Sequence, residues 1–117
     1  MEKPEYIKNS MEKIRDCLQD YSNDFMAINL IYMGSGINGV RNLIKNGYKV
    51  QTVEEYLEKY REDKRVTIGI EDQKNPIFIE KTKELNKLAE KINSLGEKIN
   101  DQVVSETIEK VKTIIHF

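Results

Sequence analysis

The feature that most constrains the fold is an apolar stripe in the first third of the chain. Its members recur at alternating intervals of four and three residues: Ile7, Met11, Ile14, Leu18, Tyr21, Phe25, Ile28 and Tyr32. This spacing places them on one face of a helix, which other parts of the protein must cover. Residues 22–24 are weak helix formers, so the stripe belongs either to one rod or to two helices that break there.

Three further signals predict where helices begin and end. Pro4 suits a first helical turn because its missing N–H has no helical partner there, and Glu2 and Glu5 favour the positive end of the helix dipole. We expect Gly34 to end the first helical segment in a left-handed cap and a short helix to follow over 37–46.

The next helix boundary is predicted by a capping box. Gly47 is expected to stop the short helix over 37–46. Thr52 and Glu55 have the spacing at which each side chain satisfies a free backbone N–H of the other, so another helix should begin at this point.

The middle of the chain predicts the only β-structure. Residues 66–70 alternate between apolar and small or polar side chains, which is the spacing of a strand. The polar run 71–75 predicts a turn, and residues 76–79 are expected to return as an edge strand, where Pro76 is tolerated. We therefore expect a mainly helical (α+β) fold with a small β-hairpin.

The last third returns to helical spacing in two stripes. They consist of Leu85, Leu88, Ile92, Leu95 and Ile99, and of Val104, Ile108, Val111 and Ile115. The phase slips between the two stripes, and Gly96 lies near the slip, so we expect a helical hairpin with Asn100 or Asp101 as a cap.

The composition places limits on the class of protein. A chain of 117 residues is expected to form one domain over 1–117. The stripes are long for so small a core, so we expect a dimer or a higher oligomer. A single cysteine, Cys17, excludes an intrachain disulfide and a CxxC zinc site and fits a reducing compartment. No stretch resembles a signal peptide or a membrane span, so we expect a cytoplasmic protein.

One segment stands out by its charge. Residues 25–50 contain three basic residues and no acidic one, in a chain of net charge −1. A glycine turn that leads into a helix offers backbone N–H groups to an anion. The sequence therefore nominates ligand-binding residues for a nucleotide or another phosphate-bearing ligand: Gly34, Ser35, Gly36, Asn38, Gly39, Arg41, Lys45 and Lys49. The alternative is a structural turn between helices with solvated cations.

The same glycines match the dinucleotide-binding pattern G-x-G-x-x-G. That motif needs a strand before the glycines and an acidic residue about 20 positions later. The apolar stripe continues through Ile28 and Tyr32 with helical spacing, which favours a helix over 25–33 instead.

Residues 64–117 resemble the ribbon-helix-helix arrangement of small dimeric regulators, with a strand over 65–70 followed by two helices. The resemblance implies a DNA-binding dimer whose strand reads the major groove through Arg65, Thr67 and Gly69. Glu71 and Asp72 would oppose a phosphate backbone, so we expect nucleic acid not to be the main partner.

No set of residues matches the geometry of a catalytic class. His116 is the single histidine, and Cys17 is expected to be a small core residue. We therefore expect a non-enzymatic regulator or inhibitor, of the kind that phages and mobile elements encode, without cofactor or metal. It would bind a protein partner or further copies of itself through its amphipathic helices. The alternatives are the anion-binding protein and the DNA-binding dimer.

Overall fold

The computed structural model describes residues 9–59 and 68–117, and over these ranges the fold is all-α. Helices account for 83% of the described residues, and none of these residues is in a strand. The helices are α1 (Ser10–Tyr21), α2 (Asn23–Lys45), α3 (Val53–Lys59), α4 (Ile70–Gln73), α5 (Pro76–Leu95) and α6 (Asp101–Ile115), with a 3₁₀ turn at Gly96–Lys98.

The first apolar stripe is buried, as its spacing predicts. Its central members are at most 2% exposed: Ile14, Leu18, Tyr21, Phe25 and Ile28. Helices α1 and α2 meet at Ser22, whose backbone is still helical and whose N–H donates to the carbonyl of Leu18 at 2.9 Å. The break is therefore slight, and the stripe keeps one face across it. The predictions for Glu2, Pro4, Glu5 and Ile7 lie outside the described residues.

Several elements of the chain cover this stripe. Helix α2 packs against α6 and the 3₁₀ turn, α5 packs along α6, and α1 contacts α3, α4 and α6. The later stripes are buried as expected with two exceptions: Leu95 is only half-buried, and Ile114, not Ile115, is among the buried residues. One chain thus covers the stripes whose length led us to expect an oligomer, and the oligomeric state itself stays a prediction.

The predicted β-hairpin is wrong for the part of it that the structure describes. Ile70–Gln73 forms α4, and Pro76 begins α5 at a position where its missing N–H costs no hydrogen bond. The side chain of Asn75 caps α5 by accepting the N–H of Ile77 at 3.0 Å. Cap and proline mark a helix start here, and the five-residue alternation over 66–70 was too short to establish a strand. Residues 66 and 67 lie outside the described ranges.

Several predicted helix boundaries are confirmed. The N–H of Glu55 donates to Thr52 Oγ1, and the N–H of Thr52 donates to Glu55 Oε1, both at 3.2 Å. Gly47, with a φ of 97°, follows the end of α2. Asn100 caps α6 by accepting the N–H of Val103 at 3.0 Å.

The connection between α2 and α3 is held by side chains. Asn93 on α5 bonds both backbone groups of Val50: its Oδ1 accepts the Val50 N–H at 2.9 Å, and its Nδ2 donates to the Val50 carbonyl at 2.7 Å. The hydroxyls of Tyr21 and Tyr48 donate to the carbonyls of Gln51 and Asp24. Burial raises the pKa of both tyrosines well above its usual value, so they remain protonated donors.

Replacing Asn93 tests this connection. Asn93→Ala leaves the N–H and carbonyl of buried Val50 without partners, so we expect a loss of about 1–3 kcal/mol in the free energy of unfolding, measured with urea. Asn42→Ala is the matched control, because Asn42 is an exposed helical asparagine, and it should stay within about 0.5 kcal/mol of wild type. Equal effects would contradict the role of Asn93.

Candidate functional site

The glycine segment forms a kink inside α2. Gly36 has a φ of 73° and a ψ of −166° and is the non-helical residue within that helix. A positive φ of this size is strained for a residue with a Cβ, which is why a glycine occupies the position. The prediction that Gly34 ends the helix is wrong, because the helix continues through Gly34 and the left-handed conformation falls two residues later.

Gly39 lies where the two halves of α2 approach each other across the kink. A Cβ built on Gly39 would lie 2.4 Å from the Cβ of Ser35 and 3.0 Å from Cγ2 of Ile31, so a larger residue does not fit without movement. A Cβ built on Gly34 would meet no atom within 4 Å. The kink therefore explains Gly36 and Gly39, whereas nothing in the packing requires a glycine at position 34.

Arg41 holds the second half of α2 against the junction of the 3₁₀ turn and α6. Its Nε donates to the carbonyl of Ile99 at 3.1 Å, and its Nη1 lies 3.5 Å from Asn38 Oδ1. In the first half of α2, the hydroxyl of Tyr32 donates to Asp101 Oδ1 at 2.8 Å, and this bond raises the pKa of Tyr32. Arg41 thus has structural partners of its own.

The remaining nominated residues are not brought together around one point. Lys45 and Lys49 are exposed and form no hydrogen bond or ion pair within the described part of the chain. Ser35 and Asn38 are also exposed, and of the nominated side chains a hydrogen bond joins only Asn38 and Arg41. Anion binding at this segment stays a prediction.

The structure shows a surface that our reading of the sequence missed. Leu30 and Met33 on the outer face of α2 are 70% and 76% exposed. Gly34 lies beside them in open space, and the half-buried Met26 extends the same face by one turn. We call these four residues the α2 ridge. The available signal was that residues 25–33 are apolar all round the helix except at Asn29, which is unusual in a chain with 33% charged residues.

Two other concave or apolar regions differ from the ridge. A cavity of about 260 Å³ lies between α3 and α5, where Leu57, Phe78 and Ile79 form part of its lining and the Thr82 hydroxyl is buried without a hydrogen-bond partner. A groove between α5 and α6 has an apolar floor and walls of mixed charge: Glu84, Lys87, Lys91, Glu109 and Lys110. Neither combines large exposed apolar side chains with charge of one sign.

The residues that the ribbon-helix-helix resemblance nominates are only partly described. Arg65 and Thr67 lie outside the described residues. Gly69 is not in a strand: it precedes α4, and its N–H donates to Asp72 Oδ2 at 3.1 Å. The resemblance requires a strand over 65–70. Residues 68–70, the half of this range that the structure describes, are not in a strand.

The structure also shows where the single cysteine and the single histidine lie. Cys17 is 2% exposed, which confirms it as a core residue, and His116 is exposed. Residues 9–59 and 68–117 contain no group of three or more His, Cys, Asp or Glu side chains arranged to hold a metal ion. In the same ranges, no helix has the length and apolar character needed to cross a bilayer.

Comparison of the chain with protein-family models, with curated proteins and with solved structures gave no match. The interpretation of the site therefore depends on its own geometry.

Three alanine variants test the assignment of the glycines. Gly36→Ala should lower the free energy of unfolding by about 1–2 kcal/mol because of its positive φ, and Gly39→Ala by a similar amount because of the contact with Ser35. Gly34→Ala should be neutral or stabilise by up to about 1 kcal/mol, since alanine favours a helix. Urea denaturation measures all three, and equal losses would contradict the kink.

Replacing Arg41 tests its structural role. Arg41→Ala leaves the Ile99 carbonyl unpaired, and we expect a loss of about 1–2 kcal/mol in the free energy of unfolding without any ligand. Lys45→Ala on the same helix should change it by less than about 0.5 kcal/mol. If the two variants were equally stable, the hydrogen bond between Arg41 and the Ile99 carbonyl would contribute nothing to the free energy of unfolding.

Proposed function

We propose that this protein is a small non-enzymatic regulator or inhibitor that binds a protein partner through the α2 ridge. The observation that carries the proposal is the exposure of Leu30 and Met33, at 70% and 76%. The two side chains are three positions apart, so they stand next to each other on the helix surface. Large apolar side chains exposed side by side are typical of a contact surface, because covering them removes apolar area from water.

The contacts that hold α2 in place favour binding at the ridge. Helix α2 is tied to the rest of the bundle by the bonds of Tyr32 to Asp101 and of Arg41 to Ile99, in addition to its packing on α6. A surface that is already ordered loses little conformational entropy when a partner docks.

The chemistry of the ridge fits a protein surface as its target. Methionine is flexible and polarizable and adapts to an uneven partner surface. Gly34 has no side chain, so a partner can approach the α2 backbone closely beside Met33. This gives the glycine at position 34 a use that the packing of the protein itself does not require.

A charged ridge tests the proposal. The double variant Leu30→Glu/Met33→Glu should keep its fold, because both side chains are exposed, and should lose the partner. The measurement is affinity capture from a lysate of the source cells, identification of the captured protein, and reconstitution of the complex from purified components.

Ile70→Glu provides the matched control, because Ile70 is an aliphatic residue with a similar exposure of 73% away from the ridge. It should retain the partner. A partner that binds the double variant as well as wild type, or that is lost equally in the Ile70 variant, would contradict the proposal.

A further inference from the structure

The cavity between α3 and α5 is built from apolar side chains one helical turn apart. Val53 and Leu57 on α3, together with Phe78 and Ile79 on α5, supply the apolar part of its lining around a volume of about 260 Å³. Val53 and Phe78 are at most 5% exposed, whereas Ile79 is 44% exposed, so the cavity extends from the core to the surface. The lining residues that the structure describes belong to α3, α4 and α5, which separates this cavity from the ridge on α2.

One buried polar group at this cavity lacks a hydrogen bond. Thr82 lies one turn after Phe78 on α5, belongs to the cavity lining and is 6% exposed. Its hydroxyl is buried and has no hydrogen-bond partner in the part of the chain that the structure describes. An unpaired buried hydroxyl costs free energy, and threonines in helices often avoid this cost by bonding a carbonyl one turn back. A polar atom of a bound molecule would supply the bond that Thr82 lacks.

The other polar side chains of the lining indicate the charge of such a molecule. Asn86 is engaged within the protein, since its Oδ1 accepts the N–H of Val53 and its Nδ2 donates to Glu54, both at 3.0 Å. Glu54 and Lys83 are exposed and carry opposite charges, so together they favour neither an anion nor a cation. A charged group among the apolar side chains would lose its hydration without gaining a partner. The lining therefore favours a neutral ligand.

We propose that this cavity binds a small neutral organic molecule whose apolar body contacts Leu57, Phe78 and Ile79 and whose single oxygen forms a hydrogen bond with the Thr82 hydroxyl. Ligand sites commonly have this composition, with a mainly apolar lining and a few polar groups that fix the orientation of the ligand. The volume suits a six-membered ring with a few further atoms, because an apolar cavity of about 150 Å³ already holds benzene. The inference goes beyond the proposed function and does not depend on the ridge.

Water alone is a poorer occupant of the cavity. An ordered internal water generally forms about three hydrogen bonds to protein groups. Thr82 offers one such bond, and the side chains of Val53, Leu57 and Phe78 offer none. A molecule with an apolar body and one oxygen matches both parts of the lining.

A matched pair of probes, phenol and toluene, tests the inference. The two molecules have nearly the same shape and differ by a hydroxyl against a methyl group. Binding to the full chain is followed by methyl NMR, and we expect both probes at millimolar concentration to shift the methyl signals of Leu57 and Ile79. The methyl signals of Leu88 and Ile114, which line the groove between α5 and α6, are the reference and should not shift.

Variants of Thr82 isolate the hydrogen bond, because the difference between the two probes in water cancels when their affinity ratio is compared between proteins. Thr82→Val keeps the shape of the side chain without its hydroxyl, so the affinity for phenol relative to toluene should fall about fivefold. Thr82→Ser keeps the hydroxyl and should retain the wild-type ratio. Thr107→Val is the matched control and should leave the ratio unchanged, since Thr107 is a buried threonine of α6 outside the cavity lining.

Stability without a probe gives a second readout. Thr82→Val should raise the urea midpoint of unfolding, because it removes an unpaired buried hydroxyl and keeps the apolar contacts. A threonine whose hydroxyl stabilised the fold would give the opposite result. The variant is therefore expected to be more stable than wild type and to discriminate less in favour of phenol.

The following outcomes would overturn the inference. Unchanged methyl signals of Leu57 and Ile79 with both probes, or shifts confined to Leu88 and Ile114, would show that the cavity does not admit such a molecule. An affinity ratio that is the same in wild type and Thr82→Val would show that the hydroxyl does not bond the ligand. A lower urea midpoint for Thr82→Val would show that the hydroxyl has a partner within the protein. None of these measurements involves the α2 ridge, so the proposed function is tested separately.

Discussion

The packing of α2 on α6 and the 3₁₀ turn is the interaction on which the rest of the structure depends. On α2, Phe25, Ile28 and Val40 are at most 2% exposed, and each such side chain contributes about 1.5–3 kcal/mol by leaving water. Because residues 25–33 are apolar all round the helix except at Asn29, the docking of α2 also decides which apolar side chains enter the core and which remain outside. Leu30 and Met33 are exposed as a consequence of the direction in which α2 docks.

The connection between α2 and α3 is held by polar side chains. The side chain of Asn93 bonds the backbone N–H and carbonyl of Val50. The hydroxyl of Tyr56 donates to Asp20, and the hydroxyl of Tyr48 donates to the carbonyl of Asp24. Burial raises the pKa of the Asp24 carboxyl, and the Gln51 N–H bonded to it opposes that shift. These bonds support the α2–α3 connection.

Sequence patterns predicted the helical stripe and the helix caps better than they predicted the segment over 66–79. The stripe from Ile14 to Ile28 and the caps at Thr52 and Asn100 were predictable because their spacing and local chemistry are sufficient. The hairpin was not, because five alternating residues and Pro76 fit an edge strand as well as the start of a helix. Phe78 and Leu85, both buried on α5, show that helical spacing already ran through this segment.

The site was less predictable than the fold. The spacing of glycines and charges nominated residues 34–49. In the structure the kink in α2 explains Gly36 and Gly39, and the hydrogen bond to the Ile99 carbonyl explains Arg41. Leu30 and Met33 could not be singled out, because whether a uniformly apolar helix is covered on one side or on all sides depends on how many elements pack around it. That number is a property of the tertiary structure and leaves no local signal.

Photo-crosslinking in the source cells tests the central claim most directly, because it reports contacts of single positions in the intact protein. The photoreactive residue p-benzoylphenylalanine would replace Leu30 or Met33, and Ile70 as the reference. The account predicts that the two ridge positions crosslink to the same protein and that position 70 does not. Crosslinks to that protein from position 70 alone, or no crosslink from either ridge position, would contradict it.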